Sequence, residues 1–114
     1  VVQIETRGAV ENLEAIMATP GVDAALVGPN DLSIALGVPG RTDGPEVRAV
    51  IERVIEIGRR VGRASAVQMR DLEAAARWLQ RGIRILSCGT ETTLLAQAGR
   101  AVIDRLREGA ARPG

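Results

Sequence analysis

At 114 residues the chain is long enough for one domain with a buried core, and well short of the roughly 250 residues of a complete eight-stranded α/β barrel. Fifteen basic residues, all arginine, against 14 acidic ones leave a formal charge of +1, too weak a field to argue for nucleic acid or a membrane surface as partner. A single cysteine and no histidine exclude an internal disulfide, Cys-His or Ser-His catalysis and a histidine-based zinc site.

The opening Val1-Val2-Gln3-Ile4-Glu5 reads as a strand entered part-way, without an initiator methionine, so the chain is expected to be part of a longer one. Gly8 to Ala18 reads as a helix with Val10, Leu13, Ile16 and Met17 on one face, stopped by Pro20-Gly21. Ala24 to Val27 is a second strand of small and branched residues, as in parallel strands buried on both faces. It ends at Gly28-Pro29. A short helix from Asn30 closes at Gly37, and Val38 to Gly44 is the most loop-like stretch. Pro45 suits the first turn of a helix to about Val61, on the stripe Val47, Val50, Ile51, Val54, Ile55. Arg63 to Val67 is a weak third strand, Arg70 to Arg81 a helix, and Arg84 to Cys88 a fourth strand. A last helix, Thr92 to Arg107, is expected to carry Leu94, Leu95, Ala98, Val102, Ile103 and Leu106 inward, with a flexible tail over 109–114. This alternation predicts an α/β fold of four β/α units, half of a (β/α)8 barrel, as one unit over residues 1–108. No stretch approaches the roughly 18 apolar residues of a membrane span and no leader pattern opens the chain, so a cytoplasmic location is expected.

Parallel α/β folds place ligands at the carboxyl ends of the strands. Those ends carry Gln3 and Glu5, Gly28 to Asp31, Gln68, and Gly89 to Glu91. Glu5 and Asp31, one β/α unit apart, are placed to converge on one hard divalent cation, with water and a chelating substrate completing its shell. Two plainer uses stand beside that one: Asp31 as a helix cap and Glu5 as a first-turn charge. Gly28-Pro29-Asn30-Asp31 runs straight into a helix. Glycine lets a ligand approach the backbone, and the free amides that follow suit a carboxylate, so with Glu5 the site would suit a 2-oxo acid.

The segments Gln3-Ile4-Glu5-Thr6, Asn12 to Ile16, Pro20-Gly21-Val22-Asp23 and Gly28-Pro29-Asn30-Asp31-Leu32-Ser33-Ile34-Ala35-Leu36-Gly37 closely resemble the HpcH/HpaI aldolase family, and a looser likeness extends over Ala75 to Leu95. The resemblance covers the second half of that family's barrel. It implies a class II pyruvate aldolase that joins or splits pyruvate, or another 2-oxo acid, and an aldehyde with Mg²⁺, Mn²⁺ or Co²⁺. Glu5 and Asp31 match the family's metal ligands. Gln3 matches its active-site glutamine, Gly28 and Pro29 its substrate-binding turn, and the amides of Asn30 and Asp31 those that hold the pyruvate carboxylate. The metal is implied to stabilise the enolate formed as the aldol bond breaks. No catalytic acid or base can be placed on this chain, because the family's histidine, its aspartate and its substrate arginine belong to the other half. Family members are oligomers, so a homo-oligomer is expected. The chain departs from the family at Glu91, where aspartate is usual, and at Ser65 or Ala66, where glycine is frequent. Two other readings stand beside this one: a citrate-lyase β-subunit or malyl-CoA-lyase-like enzyme, disfavoured by the Gly28-Pro29 pair, and a non-catalytic half-barrel module.

Overall fold

The structure, a computed structural model, describes residues 1–110. Four parallel strands, β1 (Val2–Ile4), β2 (Ala24–Val27), β3 (Ala64–Met69) and β4 (Ile85–Cys88), lie side by side in chain order. Their register pairs Gln3 with Leu26, Leu26 with Ala66, and Ala66 with Ile85. The helices are α1 (Arg7–Glu11), α2 (Leu13–Ala18), α3 (Pro29–Ala35), α4 (Pro45–Val61), α5 (Leu72–Arg81) and α6 (Glu91–Ala110). The chain is therefore α/β, and β3 runs two residues further than its composition suggested, through Gln68 to Met69.

One face of the sheet holds the core. Ile4, Ala25, Val27, Val67 and Met69 meet Leu13 and Met17 of α2, Val47, Ile51 and Val54 of α4, and Trp78 of α5. Each fully buried valine, isoleucine or leucine there is worth about 1.5–3 kcal/mol against leaving it in water. α4 is the central brace: Pro45 starts it, its apolar stripe is buried along the whole length, and Gly62, with φ 70°, closes it in the left-handed conformation. Gly58 lets α4 approach the chain entering β3, since a Cβ there would stand 2.8 Å from the Arg63 carbonyl oxygen. The opposite face carries Gln3, Leu26, Ala66 and Ile85 in one row, none of them part of the core under the described helices: the small Ala66 is buried, Leu26 is half-buried and Ile85 exposed.

Three expectations need correction. The single helix from Gly8 to Ala18 is interrupted at Asn12, whose ψ opens to 14° and whose side-chain amide donates to the Gly8 carbonyl at 2.9 Å. The residues named on the last helix do not turn inward: α6 buries none of its side chains, and Leu94, Leu95, Val102, Ile103 and Leu106 are all exposed. The helix projects from the sheet and stretches the molecule to 66 × 29 × 21 Å. Residues 109 and 110 continue α6, and the rest of the expected tail, 111–114, lies outside the described residues.

Candidate active site

β1 and β2 place the candidate residues. Because Ile4 pairs with Val27, the residues that follow, Glu5 and Gly28, emerge together at the carboxyl end of the sheet, where the Gly28 amide donates to the Ile4 carbonyl at 3.3 Å. Gln3 and Glu5 lie two apart on an extended chain and so share a face, and the Gln3 amide donates to Glu5 Oε2 at 2.6 Å. Gly28 is the floor beneath them: a Cβ there would lie 3.0 Å from Gln3 Nε2 and 3.1 Å from Glu5 Oε2. A side chain at this point would push the Gln3-Glu5 pair back by a few tenths of an ångström. The Gly28 φ of −98° needs no special freedom.

Gly28 is also the N-cap of α3, without a side-chain cap, and Pro29 opens the helix. Asp31 therefore stands in the first turn and is not the cap, which removes one of the two plainer uses of that residue. The first intrahelical bond runs from the Leu32 amide to the Gly28 carbonyl at 2.9 Å, which leaves the amides of Asn30 and Asp31 outside the helix's own bonding. Gly28 and Pro29 are buried, Glu5 is half-buried, and Gln3, Asn30 and Asp31 are exposed. Gln3, Glu5 and Gly28 are thus in mutual contact, whereas Asp31 is one turn along α3 with no hydrogen bond to Glu5. Glu5 precedes Thr6, the residue that caps α1 by accepting from the Ala9 amide, so it lies outside the first turn of α1, which holds no acidic residue.

Two supports around this site have no local signature in the sequence. The buried Ser33 hydroxyl donates to the Asn30 carbonyl at 2.7 Å and accepts from the Gly40 amide at 3.2 Å, tying the loop 38–44 to the first turn of α3. Asp43, in that loop, accepts from Arg48 at 2.6 and 3.0 Å and from Arg77 at 3.3 Å. Its carboxyl is held below the usual range, first by the Arg48 hydrogen bond, with the positive charges of Arg48 and Arg77 adding to it against a desolvation cost. The braced loop walls a cleft of about 180 Å³ that runs from Pro29 and Asn30, past Thr42 and Asp43, to Gln68 and Arg70 at the end of β3. Gln68, singled out as a strand-end residue, thus stands beside the Gly28–Asp31 turn. The other strand-end residue singled out, Glu91, is an exposed first-turn residue of α6.

Among the described residues no cluster of three or more His, Cys, Asp or Glu is arranged to hold a metal. A cation held here would rest on the Glu5 and Asp31 carboxylates with oxygen from substrate and water, a donor set suited to a hard divalent ion. The model of one family, described as HpcH/HpaI aldolase/citrate lyase, matches residues 1–98. The chain belongs to the HpcH/HpaI aldolase/citrate lyase family.

Within the family, the chain is 40% identical to a 4-hydroxy-2-oxo-heptane-1,7-dioate aldolase of Shigella sonnei, over all of this chain and 44% of that protein. A protein of the same name from Klebsiella pneumoniae is 40% identical over 96% of this chain and 42% of its own length. The chain thus spans under half the length of these relatives. Among solved structures it is similar to an HpcH/HpaI aldolase/citrate lyase family protein from Burkholderia cenocepacia, with TM-score 0.89, 34% identity, and coverage of 93% of this chain and 41% of that one. An HpcH/HpaI aldolase from Desulfitobacterium hafniense matches with TM-score 0.84, 30% identity, and coverage of 98% and 42%. The relatives' names are those of aldolases, in keeping with the family likeness of Gln3 to Thr6 and Gly28 to Gly37.

Proposed function

We propose that this chain supplies the metal- and 2-oxo-acid-binding side of a pyruvate aldolase acting on 4-hydroxy-2-oxo acids. The observation that carries the reading is the cradle in which Gln3 and Glu5 lie directly over Gly28, at the entrance to a turn with free amides. The names of the relatives at 40% identity favour an aldolase over a lyase of CoA thioesters. The residues fit a divalent cation of the Mg²⁺, Mn²⁺ or Co²⁺ class in donor chemistry, with Glu5 and Asp31 as its protein ligands. Such a cation, when bound, supplies Lewis-acid stabilisation of negative charge at the keto oxygen.

The chain's own residues do the rest of the work on this side. The Gln3 amide fixes the orientation of the Glu5 carboxylate, and its remaining hydrogen-bonding capacity faces the uncovered side of the sheet beside the substrate. The absent Cβ of Gly28 gives the Gln3-Glu5 pair its place against the backbone, while the amides of Asn30 and Asp31 receive the pyruvate carboxylate. Buried Pro29 keeps water from beneath the turn. Proton transfer at the aldehyde-forming hydroxyl falls to a group outside these residues, since the chain has no histidine and both carboxylates are committed to the cation. In the protein carrying this sequence, Asp31→Ala and Glu5→Gln should each lower metal-dependent release of pyruvate from a 4-hydroxy-2-oxo acid by at least about a hundredfold, the scale of a lost electrostatic stabiliser. Undiminished turnover by thoroughly chelated enzyme would overturn the reading.

A further inference from the structure

At the opposite end of the strands from Glu5 and Gly28, the chain enters β3 and β4 beside the last turns of α4 and α5. A hollow of about 560 Å³ opens there, lined by Arg59, Arg63 and Arg84 and by the glycines 58, 62 and 82. Among the described residues no carboxylate lines it. Elsewhere Arg41, in the loop 38–44, and Arg48, Arg60, Arg77 and Arg81, on helices, each face an acidic partner. Arg59, Arg63 and Arg84 have none among the described residues, which is also true of Arg7, Arg53 and Arg70; what sets the three apart is that they line one hollow.

The simplest use of arginines at this place is to offset the negative ends of two helices, and Arg59 does so by donating to the Arg81 carbonyl at 2.7 Å. Two helix carboxyl ends amount to roughly one negative charge against three guanidinium groups, so the hollow keeps an excess of positive charge. Arg63 carries the stronger sign of a missing partner: its Nε is buried and has no hydrogen-bond acceptor. A buried guanidinium donor without a partner is a cost that a bound acceptor removes. Glycine keeps the walls back, for nothing lies within 4 Å of a Cβ built on Gly62, and one on Gly82 would collide with the Arg59 guanidinium. The volume falls within the roughly 300–1,000 Å³ of small-molecule pockets, more than a free oxyanion fills.

We propose that this hollow binds the phosphate group of a small phosphomonoester through Arg63 and Arg84, with Arg59 contributing charge. Planar guanidinium forks match phosphate oxygens, and a phosphate has acceptors enough for the Nε of Arg63 and the forked ends of both arginines. The site is separate from the proposed aldolase chemistry, so it can be tested without turnover. Calorimetric titration of the protein carrying this sequence, at fixed ionic strength and in EDTA, would use glycerol 3-phosphate, inorganic phosphate and glycerol. Both phosphates should bind and glycerol should not; tighter binding of glycerol 3-phosphate than of inorganic phosphate would show that the carrier is recognised. Arg84→Gln, at an exposed position, should weaken both by at least about tenfold, the effect of one lost charge-assisted bond. Arg63→Lys, which keeps the charge but drops the Nε donor, should weaken them too, whereas Arg100→Gln on α6 should leave affinity unchanged. Absence of phosphate binding at millimolar concentration, or equal affinity in Arg84→Gln and Arg63→Lys with circular dichroism unchanged, would overturn the proposal.

Discussion

Gly28 is the residue on which the geometry of the candidate site turns, because it alone lets the Gln3-Glu5 pair lie flat on the end of β2. In Gly28→Ala the new methyl would stand 3.0–3.1 Å from two polar atoms and would displace the Glu5 carboxylate. The expected outcome is a several-fold loss of divalent-metal affinity, since the carboxylate must give by a few tenths of an ångström where misplacement by a full ångström can cost about a hundredfold, with Tm little changed. Titration of Mn²⁺ followed by paramagnetic relaxation would check it. Asp43 gives a test against pH. Its carboxyl is held below its ordinary value, so the stabilisation from Arg48 and Arg77 is present in full above the unfolded value and is lost as pH falls through the folded one. Asp43→Asn should therefore be less stable than the parent above about pH 5, and the difference should shrink below about pH 4. Denaturant unfolding of both proteins across that range measures it. The position of Glu5, Gly28 and Asp31 at two adjoining strand ends was legible in the sequence, because the apolar runs of β1 and β2 stop just before them. Ser33 and Asp43 were not: their partners lie 7 residues away at Gly40 and 34 away at Arg77, and only the folded chain brings them together.

The elements themselves were read well where periodicity and punctuation agreed, as in α4 between Pro45 and Gly62. Punctuation without a change of period was missed: at Asn12 the backbone and side-chain amides both donate to the Gly8 carbonyl, ψ opens to 14°, and the helix breaks with no proline or glycine at the break. The role of Gly58 was hidden for the opposite reason, since a glycine inside a helix looks like a tolerated defect. Here it is a contact point, and Gly58→Ala should destabilise the protein by about 1–3 kcal/mol, the cost of overpacking, instead of stabilising it as Ala for Gly does in an exposed helix. Urea unfolding decides between the two signs. For α6 the periodicity correctly announced a helix with an apolar face. It could not say where that face points: a 3.6-residue stripe records that burial is wanted, not which surface provides it.

At the scale of the molecule, the α/β class and the four-unit count follow from the alternation of short apolar runs with amphipathic ones, and the strands lie in the order in which they occur. The structure adds an uncovered sheet face carrying Leu26 and Ile85, outer edges on β1 and β4, and a projecting helix with five exposed large apolar residues. Open edges and large apolar patches are surfaces that polypeptides tend to bury. Residues 1–114 produced by themselves should accordingly self-associate: sedimentation velocity should show mass rising with concentration, and the unfolding midpoint should move with it. A monodisperse monomer with a concentration-independent midpoint would show these surfaces to be tolerated in water.

The strand order also has a consequence for how the chain is made. No strand is inserted between two earlier ones, so every β/α unit adds to an edge that already exists when it arrives. Synthesis delivers roughly 5–20 residues per second, far slower than the microsecond-to-millisecond closure of local structure. β1 and β2 are thus able to pair under α2 before β3 has left the ribosome, and α4, which bridges β2 and β3, then sets the next strand in place. The strand order thus permits the fold to extend in the direction of translation, with each finished unit offering an edge to the one that follows.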